Sequence, residues 1–293
     1  MSSKDKVGIL RNWDIGFVRG MEISEREDWI HFPYLTGPCR SMMEDIAKCI
    51  HKHLGPLLCQ TKSPPDVTHF TSPRGNAEGS FILRSGANLS QVKFVLGSWI
   101  HCRLGVGTLN AATLIVMLGP DNDVPHFMFE VIENDSSNLI LLLDLLPRKD
   151  LVCSPEYLKA FYEDSELERY RQSVEKAYHS QSYVPSSLYV RSAVSPTALL
   201  FKFRDLLAPN DLNLLVKELI HPTAKNVFGT WFHAFSHIGT TRPKAEGEEK
   251  SVILERDEQI RRMGIEKDLS SNLPKLFGQE IADRVIAAIR KGE

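Results

Sequence analysis

Between Pro64-Pro65 and Pro147 the chain offers one apolar, strand-forming segment after another. Residues 67–70, 80–84, 91–102, 108–118, 126–132 and 139–146 are separated by turn-rich pieces such as Pro73-Arg74-Gly75-Asn76 and Gly119-Pro120-Asp121-Asn122. Strands joined by short turns pair antiparallel, because a parallel pair needs a crossover of a dozen residues or more. Glu133 to Asn138 reads as a hairpin loop. A hairpin centred there sets Glu130 near Leu142 and Asp144 on the face of Glu130; a slip of one residue would reverse the faces.

Helical periodicity flanks this meander. Thr36-Gly37-Pro38 opens a helix with a polar cap and a proline in its first turn. Met42, Met43, Ile46, Cys49, Ile50 and Leu54 follow at helical spacing, and Gly55-Pro56 stops the run. His51 and His53 point to different faces of that helix, which argues against a joint metal site. A helix is expected over 155–177, two further strands over 187–194 and 197–203, then helices over 209–219, 222–235, 255–263 and 278–291. Residues 239–250 are polar and unpatterned and read as a mobile loop. Helices before and after a large antiparallel sheet imply an α/β fold, an α/β/α sandwich with helices flanking the sheet. We expect a loosely packed extension over 1–30 and a single domain over 31–293.

Composition narrows the partners. With 35 basic and 37 acidic residues the net charge is -2, which argues against a nucleic-acid binder. The five cysteines are odd in number and form no CxxC pair, so reduced thiols are expected rather than a zinc site or a disulfide scaffold. The longest apolar run, residues 139–146, is far too short to span a bilayer. The first 28 residues have no secretory apolar core and carry six acids, unlike a transit peptide. Gly105-Val106-Gly107 lacks the third glycine and the following helix of a dinucleotide loop. No P-loop, nucleophile elbow, HExxH or Ca²⁺ loop occurs, so no tightly held cofactor and no metal is expected.

Charged side chains inside apolar strands are the remaining signal. Glu130 alternates with Met128 and Ile132 on one strand face. An acid so placed keeps its proton through a raised pKa or takes a partner. It is then either a proton donor or a salt bridge that holds the sheet. Arg84 in Phe-Ile-Leu-Arg-Ser and Arg191 in Leu-Tyr-Val-Arg-Ser are candidates to bind a ligand carboxylate, or are solvated strand ends. His101 in Ser-Trp-Ile-His-Cys is a second pocket candidate, or a satisfied core histidine.

Several longer motifs carry a resemblance. Phe32-Pro33-Tyr34, Val95-Leu96-Gly97-Ser98-Trp99-Ile100-His101-Cys102, Pro147-Arg148-Lys149-Asp150-Leu151-Val152, Phe161-Tyr162-Glu163-Asp164, Ser186-Ser187-Leu188-Tyr189-Val190-Arg191-Ser192, Ser195-Pro196-Thr197-Ala198 and Leu276-Phe277-Gly278 resemble red chlorophyll catabolite reductases of land plants, in order and from about residue 31 to the end. That family is related to the ferredoxin-dependent bilin reductases, whose antiparallel sheet lies between helices. The resemblance implies reduction of red chlorophyll catabolite, an open-chain tetrapyrrole, to the primary fluorescent catabolite. Electrons would come singly from reduced ferredoxin, directly to the substrate. It implies a homodimer in the chloroplast stroma, although no transit peptide is visible. It makes Glu130 one proton-donating carboxylate, and Asp268 the second, with Asp257 as a competitor. Arg191 or Arg84 would meet the substrate's propionate, and Val194 would shape the stereochemistry. Arg148, Lys149, Arg261, Arg262 and Lys267 are candidates to dock the acidic ferredoxin.

Overall fold

The computed structural model describes residues 29–291, apart from 60–62, 89, 106, 135–136, 205, 207–209 and 239–244. Most of the expected N-terminal extension therefore lies outside the described residues.

Eight strands form one sheet: β1 (Phe70–Thr71), β2 (Ala77–Ser85), β3 (Val92–Leu104), β4 (Gly107–Leu118), β5 (His126–Asn134), β6 (Asn138–Leu146), β7 (Ser180–Ser182) and β8 (Leu199–Phe203). Every pairing is antiparallel, in the order β1-β2-β3-β4-β5-β6-β8-β7. The helices are α1 (Gly37–Leu54), α2 (Pro65–Thr68), α3 (Pro155–Leu158), α4 (Leu167–Glu175), α5 (Leu188–Ala193), α6 (Asp211–Leu215), α7 (His221–Ser236), α8 (Gly247–Gln259), α9 (Lys267–Phe277) and α10 (Gln279–Lys291). π-helical turns at Lys159–Glu163, Val216–Ile220 and Ile260–Glu266 lead on from α3, α6 and α8.

The two sheet faces bury two separate cores, so the architecture is the expected α/β/α sandwich. On one face Val95, Leu114, Phe127, Phe129 and Leu141 pack against α1 and α7 through residues such as Met43, Ile46 and Trp231. On the other, Phe81, Phe94, Leu96, Ile115 and Met117 pack against Ile260 and against Leu273 and Phe277 of α9 and Val285 of α10. Gly278, at φ +88°, makes the turn from α9 into α10 in a conformation other residues rarely adopt. The hairpin register is the expected one: Glu130 pairs with Leu142, and Met128 with Asp144. Glu133 belongs to β5 rather than to the loop. It is buried and accepts hydrogen bonds from the Thr36 backbone N–H and hydroxyl, holding the start of α1.

Three expected elements differ. Residues 67–70 are mostly the end of α2, since Pro64-Pro65 presets a helical first turn, and only Phe70 and Thr71 join the sheet. Residues 187–194 form α5, not a strand: the Ser187 hydroxyl accepts the Val190 N–H at 3.3 Å, and none of the helix's residues is buried. Its β-branched and aromatic content had no core face to meet. The expected helix over 155–177 is broken at 164–166, after the π-helical turn. Within the loop expected over 239–250, α8 begins at Gly247; residues 239–244 lie outside the described ones. All five cysteines are free. No helix among the described residues is long and apolar enough to cross a membrane.

Candidate functional site

The sheet face under α9 and α10 is only partly covered. The apolar residues of these helices close over one end of it, at Phe94, Leu96 and Met117. Further along the strands, Thr113, Met128, Glu130, Ile132 and Ile140 keep part of their surface open, whereas their alternating neighbours on the α1 face are fully buried. A half-open apolar sheet face beside a helix pair suits a flat apolar molecule.

Glu130 stands on that face. One cross-strand row runs Ser98, Thr113, Glu130, Leu142, Leu200. The Thr113 hydroxyl donates to Glu130 Oε1 at 3.1 Å. Burial pushes the Glu130 carboxyl up, the Thr113 hydrogen bond opposes this, and the charge of Asp268 adds to the rise; the result is about 7. Although water reaches one side of Glu130, protein surrounds it densely enough for burial to dominate. At neutral pH such a group is divided between acid and carboxylate, which is the state a proton donor needs.

Asp268 lies in the first turn of α9, where its surface is exposed and its Oδ1 accepts from Asn272 at 3.0 Å. Partial burial raises its carboxyl, against the hydrogen bond from Asn272 and the charge of Lys275. Direct contact with water partly screens the charge it places on Glu130. Tyr183 completes the group. Its N–H bonds to Leu200 O at 2.9 Å, which extends the β7–β8 pairing by one residue and continues the Glu130 row. Burial raises its phenol, and the charges of Glu130 and then Asp268 raise it further.

Asp257, the competitor for the second acid, is built into a different structure. It is buried against Arg148, whose Nε and Nη2 donate to it at 2.9 and 2.5 Å. His126 Nε2 meets it at 2.8 Å, and His126 Nδ1 accepts the Leu118 N–H at 3.1 Å. The latter bond fixes the proton on Nε2, so a neutral imidazole donates to Asp257. Burial alone would raise the Asp257 carboxyl, but His126 and Arg148 outweigh it and hold it down. Arg148 also donates to the carbonyls of Asn122 and Gly119 at 2.8 and 2.9 Å. This buried cluster fastens α8 to the sheet.

Asp144 shares the Glu130 face but serves a turn. It accepts the Ser195 N–H at 2.9 Å and the Ser195 hydroxyl at 2.5 Å, and burial raises it to about 6 against those bonds. Val194, next to Ser195, packs on the core beneath α9 and α10, hence on the Glu130 side.

The other pocket candidates stand elsewhere. Arg84 belongs to the opposite sheet face: it pairs with Val95 and its Nη1 lies 3.1 Å from His51 Nδ1 of α1. His101 is on that opposite face too, stacked on Tyr34 at 4.0 Å with Nδ1 2.7 Å from Asn110 Oδ1. Arg191 is exposed on α5, not on a strand. Of the docking candidates, Arg148 and Arg261 are buried in ion pairs and cannot form a surface; Arg261 is held by Glu258 and Glu266. Lys149 is spoken for by Asp123 and Glu249. Arg262 and Lys267 are exposed. Among the described residues no three His, Cys, Asp or Glu side chains cluster as a metal site would require.

Comparison with known proteins places this geometry in context. The family described as red chlorophyll catabolite reductase (RCC reductase) matches residues 38–291. The chloroplastic red chlorophyll catabolite reductase of Arabidopsis thaliana is 37% identical over 267 residues, 91% of this chain and 83% of that one. Red chlorophyll catabolite reductase 1, chloroplastic, of Oryza sativa subsp. japonica is 36% identical over 255 residues, 86% and 77% of the two chains. Among solved structures, the crystal structure of phytochromobilin synthase from tomato in complex with biliverdin aligns with a TM-score of 0.61 at 15% identity, covering 84% of each chain. The fold is thus that of a bilin reductase, and the chain belongs to the red chlorophyll catabolite reductase family.

Proposed function

We propose that this protein reduces red chlorophyll catabolite to the primary fluorescent catabolite in chlorophyll breakdown, within the chloroplast stroma, taking electrons one at a time from reduced ferredoxin. Family membership and the chloroplastic relatives support the reaction class and the compartment. The observation that carries the chemistry is Glu130, an acid with a pKa of about 7 on a half-open apolar sheet face, within the electrostatic reach of Asp268.

Reduction of a methine-bridge double bond takes two electrons and two protons. As each electron arrives on the bound tetrapyrrole, a neighbouring acid can hand over a proton and relieve the negative charge. Glu130 is placed to give the inner proton. Asp268, at the solvent margin, exchanges with bulk water and is placed to give or resupply the other. Tyr183 stays protonated throughout and can only donate a hydrogen bond. Arg262 and Lys267 flank this margin and are the basic residues we assign to the acidic donor.

The test is an anaerobic assay with reduced ferredoxin and red chlorophyll catabolite, followed by the blue fluorescence of the product. Fluorescent product confirms the reading. Tetrapyrrole bound without reduction would instead make the protein a scavenger of a phototoxic pigment.

A further inference from the structure

One row beyond Glu130 lies a strip with a single charge at its end. The strand registers align Ile100, Ala111, Ile132, Ile140 and Lys202 across β3, β4, β5, β6 and β8. Paired residues of antiparallel strands share a face, so Lys202 stands on the Glu130 side of the sheet. All five are partly open to solvent. Four are apolar. Lys202 has no ion-pair partner among the described residues, and β7 pairs beside it, so β8 is not the sheet edge.

A partly covered lysine at the end of an apolar strip is an amphipathic receptor. The strip takes a flat apolar body; the ammonium takes an anion carried on one side of it. Two strand spacings, about 10 Å, separate the Ile132 and Lys202 backbones, which is the scale of part of a tetrapyrrole rather than of a small acid. Neither Arg84 nor Arg191 lies in this cross-strand row. Arg84 is on the opposite sheet face beside His51, and Arg191 is exposed on α5.

We propose that Lys202 is the carboxylate-binding residue of the site: its ammonium pairs with a propionate of an open-chain tetrapyrrole lying along the Ile100–Ile140 strip. The assignment rests on the proposed function for the identity of the ligand. It gives the ligand an orientation, with the acid side chain toward β8 and the conjugated body over β4 and β5, beside Glu130.

The experiment compares biliverdin with its dimethyl ester, binding to the full chain being followed by the visible absorbance of the pigment. Wild type should favour the free acid. Lys202→Met should weaken the free acid about tenfold and leave the ester unchanged, the loss expected of one charge-assisted hydrogen bond. Lys202→Arg should restore most of the preference. A purely structural role for Lys202 would weaken acid and ester alike. That result, or an acid-to-ester ratio in Lys202→Met equal to wild type, overturns the assignment. The same titrations decide it whether or not the chain reduces red chlorophyll catabolite. A wild type that prefers the free acid but forms no fluorescent product from red chlorophyll catabolite and reduced ferredoxin sinks the proposed reaction alone, and a reductase whose acid-to-ester ratio ignores Lys202 sinks the assignment alone.

Discussion

The charge of Asp268, in the first turn of α9, reaches Glu130 on β5, and the helix that leads into α9 is tied to that same strand at a fixed point. The fixed point is His126 bonded to Asp257. His126 and Glu130 lie four residues apart on one strand face, about 13 Å. Asp257 and Asp268 lie eleven residues apart along the chain with the π-helical turn Ile260–Glu266 between them, at most about 16 Å. The two intervals nearly match, so pinning the first pair brings the second into range.

Glu130→Gln removes the acid and keeps the shape. Reduction should slow by about a hundredfold, the usual weight of a positioned general acid, while substrate binding changes little. In wild type the rate should fall as pH rises through about 7, because Glu130 loses its proton there. The pH profile of single-turnover reduction checks this, and an unchanged rate in the Gln variant removes Glu130 from the chemistry.

Asp268→Asn deletes the charge that helps keep Glu130 protonated. The alkaline limb of the pH profile should move to lower pH. The shift should stay under about one unit, since Asp268 is exposed and screened. A limb that stays in place would mean the two carboxylates do not communicate in solution.

Glu130 also makes stability depend on pH. Its carboxyl is raised from 4.5 to about 7 by folding. Between those values the folded chain holds a proton the unfolded chain has released, so stability falls as pH rises from 4.5 to 7 and levels off above. Over the whole window the loss is about 3 kcal/mol. Asp144, raised from 3.8 to about 6, adds a loss of the same sign at lower pH. Thermal melts at pH 5 and pH 8 should therefore show Glu130→Gln gaining on wild type at the higher pH only.

The meander and the register of its central hairpin were legible because each strand alternates and each turn carries its own chemistry. Glu130 was legible as the lone acid between Met128 and Ile132. Its partners were not. Thr113 is one hydroxyl in an apolar strand, and only the β4–β5 register marks it as the residue opposite Glu130. Tyr183 follows the three-residue strand β7, whose unpatterned sequence does not announce its pairing beside β8. Arg84 and His101 show the converse failure. Alternation says that a strand has two faces, but helices cover both here, so it does not say which face holds the site. The segment around Arg191 differs one step earlier: it is a short exposed helix written in strand-forming residues. Arg148 was read as part of a docking surface and Asp257 as a competing proton donor because nothing local pairs them; they meet only when α8 folds back on the sheet.

Breaking that pair should cost more than any other single ion pair here. Arg148→Met leaves Asp257 buried with His126 alone, a loss of about 3–5 kcal/mol. For a chain of this size the melting temperature should drop by roughly 10 °C. Arg148→Met combined with Asp257→Leu should recover part of the loss, because no uncompensated charge is left inside. Both variants should reduce activity beyond their stability cost, since α8, which leads through a π-helical turn into the helix that carries Asp268, loses its anchor; the assay at a temperature where both remain folded checks this.

Val194 is held in place from the sheet. Asp144 grips the N–H and the hydroxyl of Ser195, so the residue before it cannot swing away from the Glu130 face. A β-branched side chain so fixed limits which face of a neighbouring tetrapyrrole ring lies toward the proton donor. Val194→Phe enlarges that wall and should change the epimer ratio of the product, read by chromatography of the fluorescent catabolite, with a smaller effect on rate. Ser195→Ala keeps the valine but removes one of its two restraints, and should blur the ratio rather than invert it. An unchanged epimer in Val194→Phe would place the source of the stereochemistry elsewhere on the site.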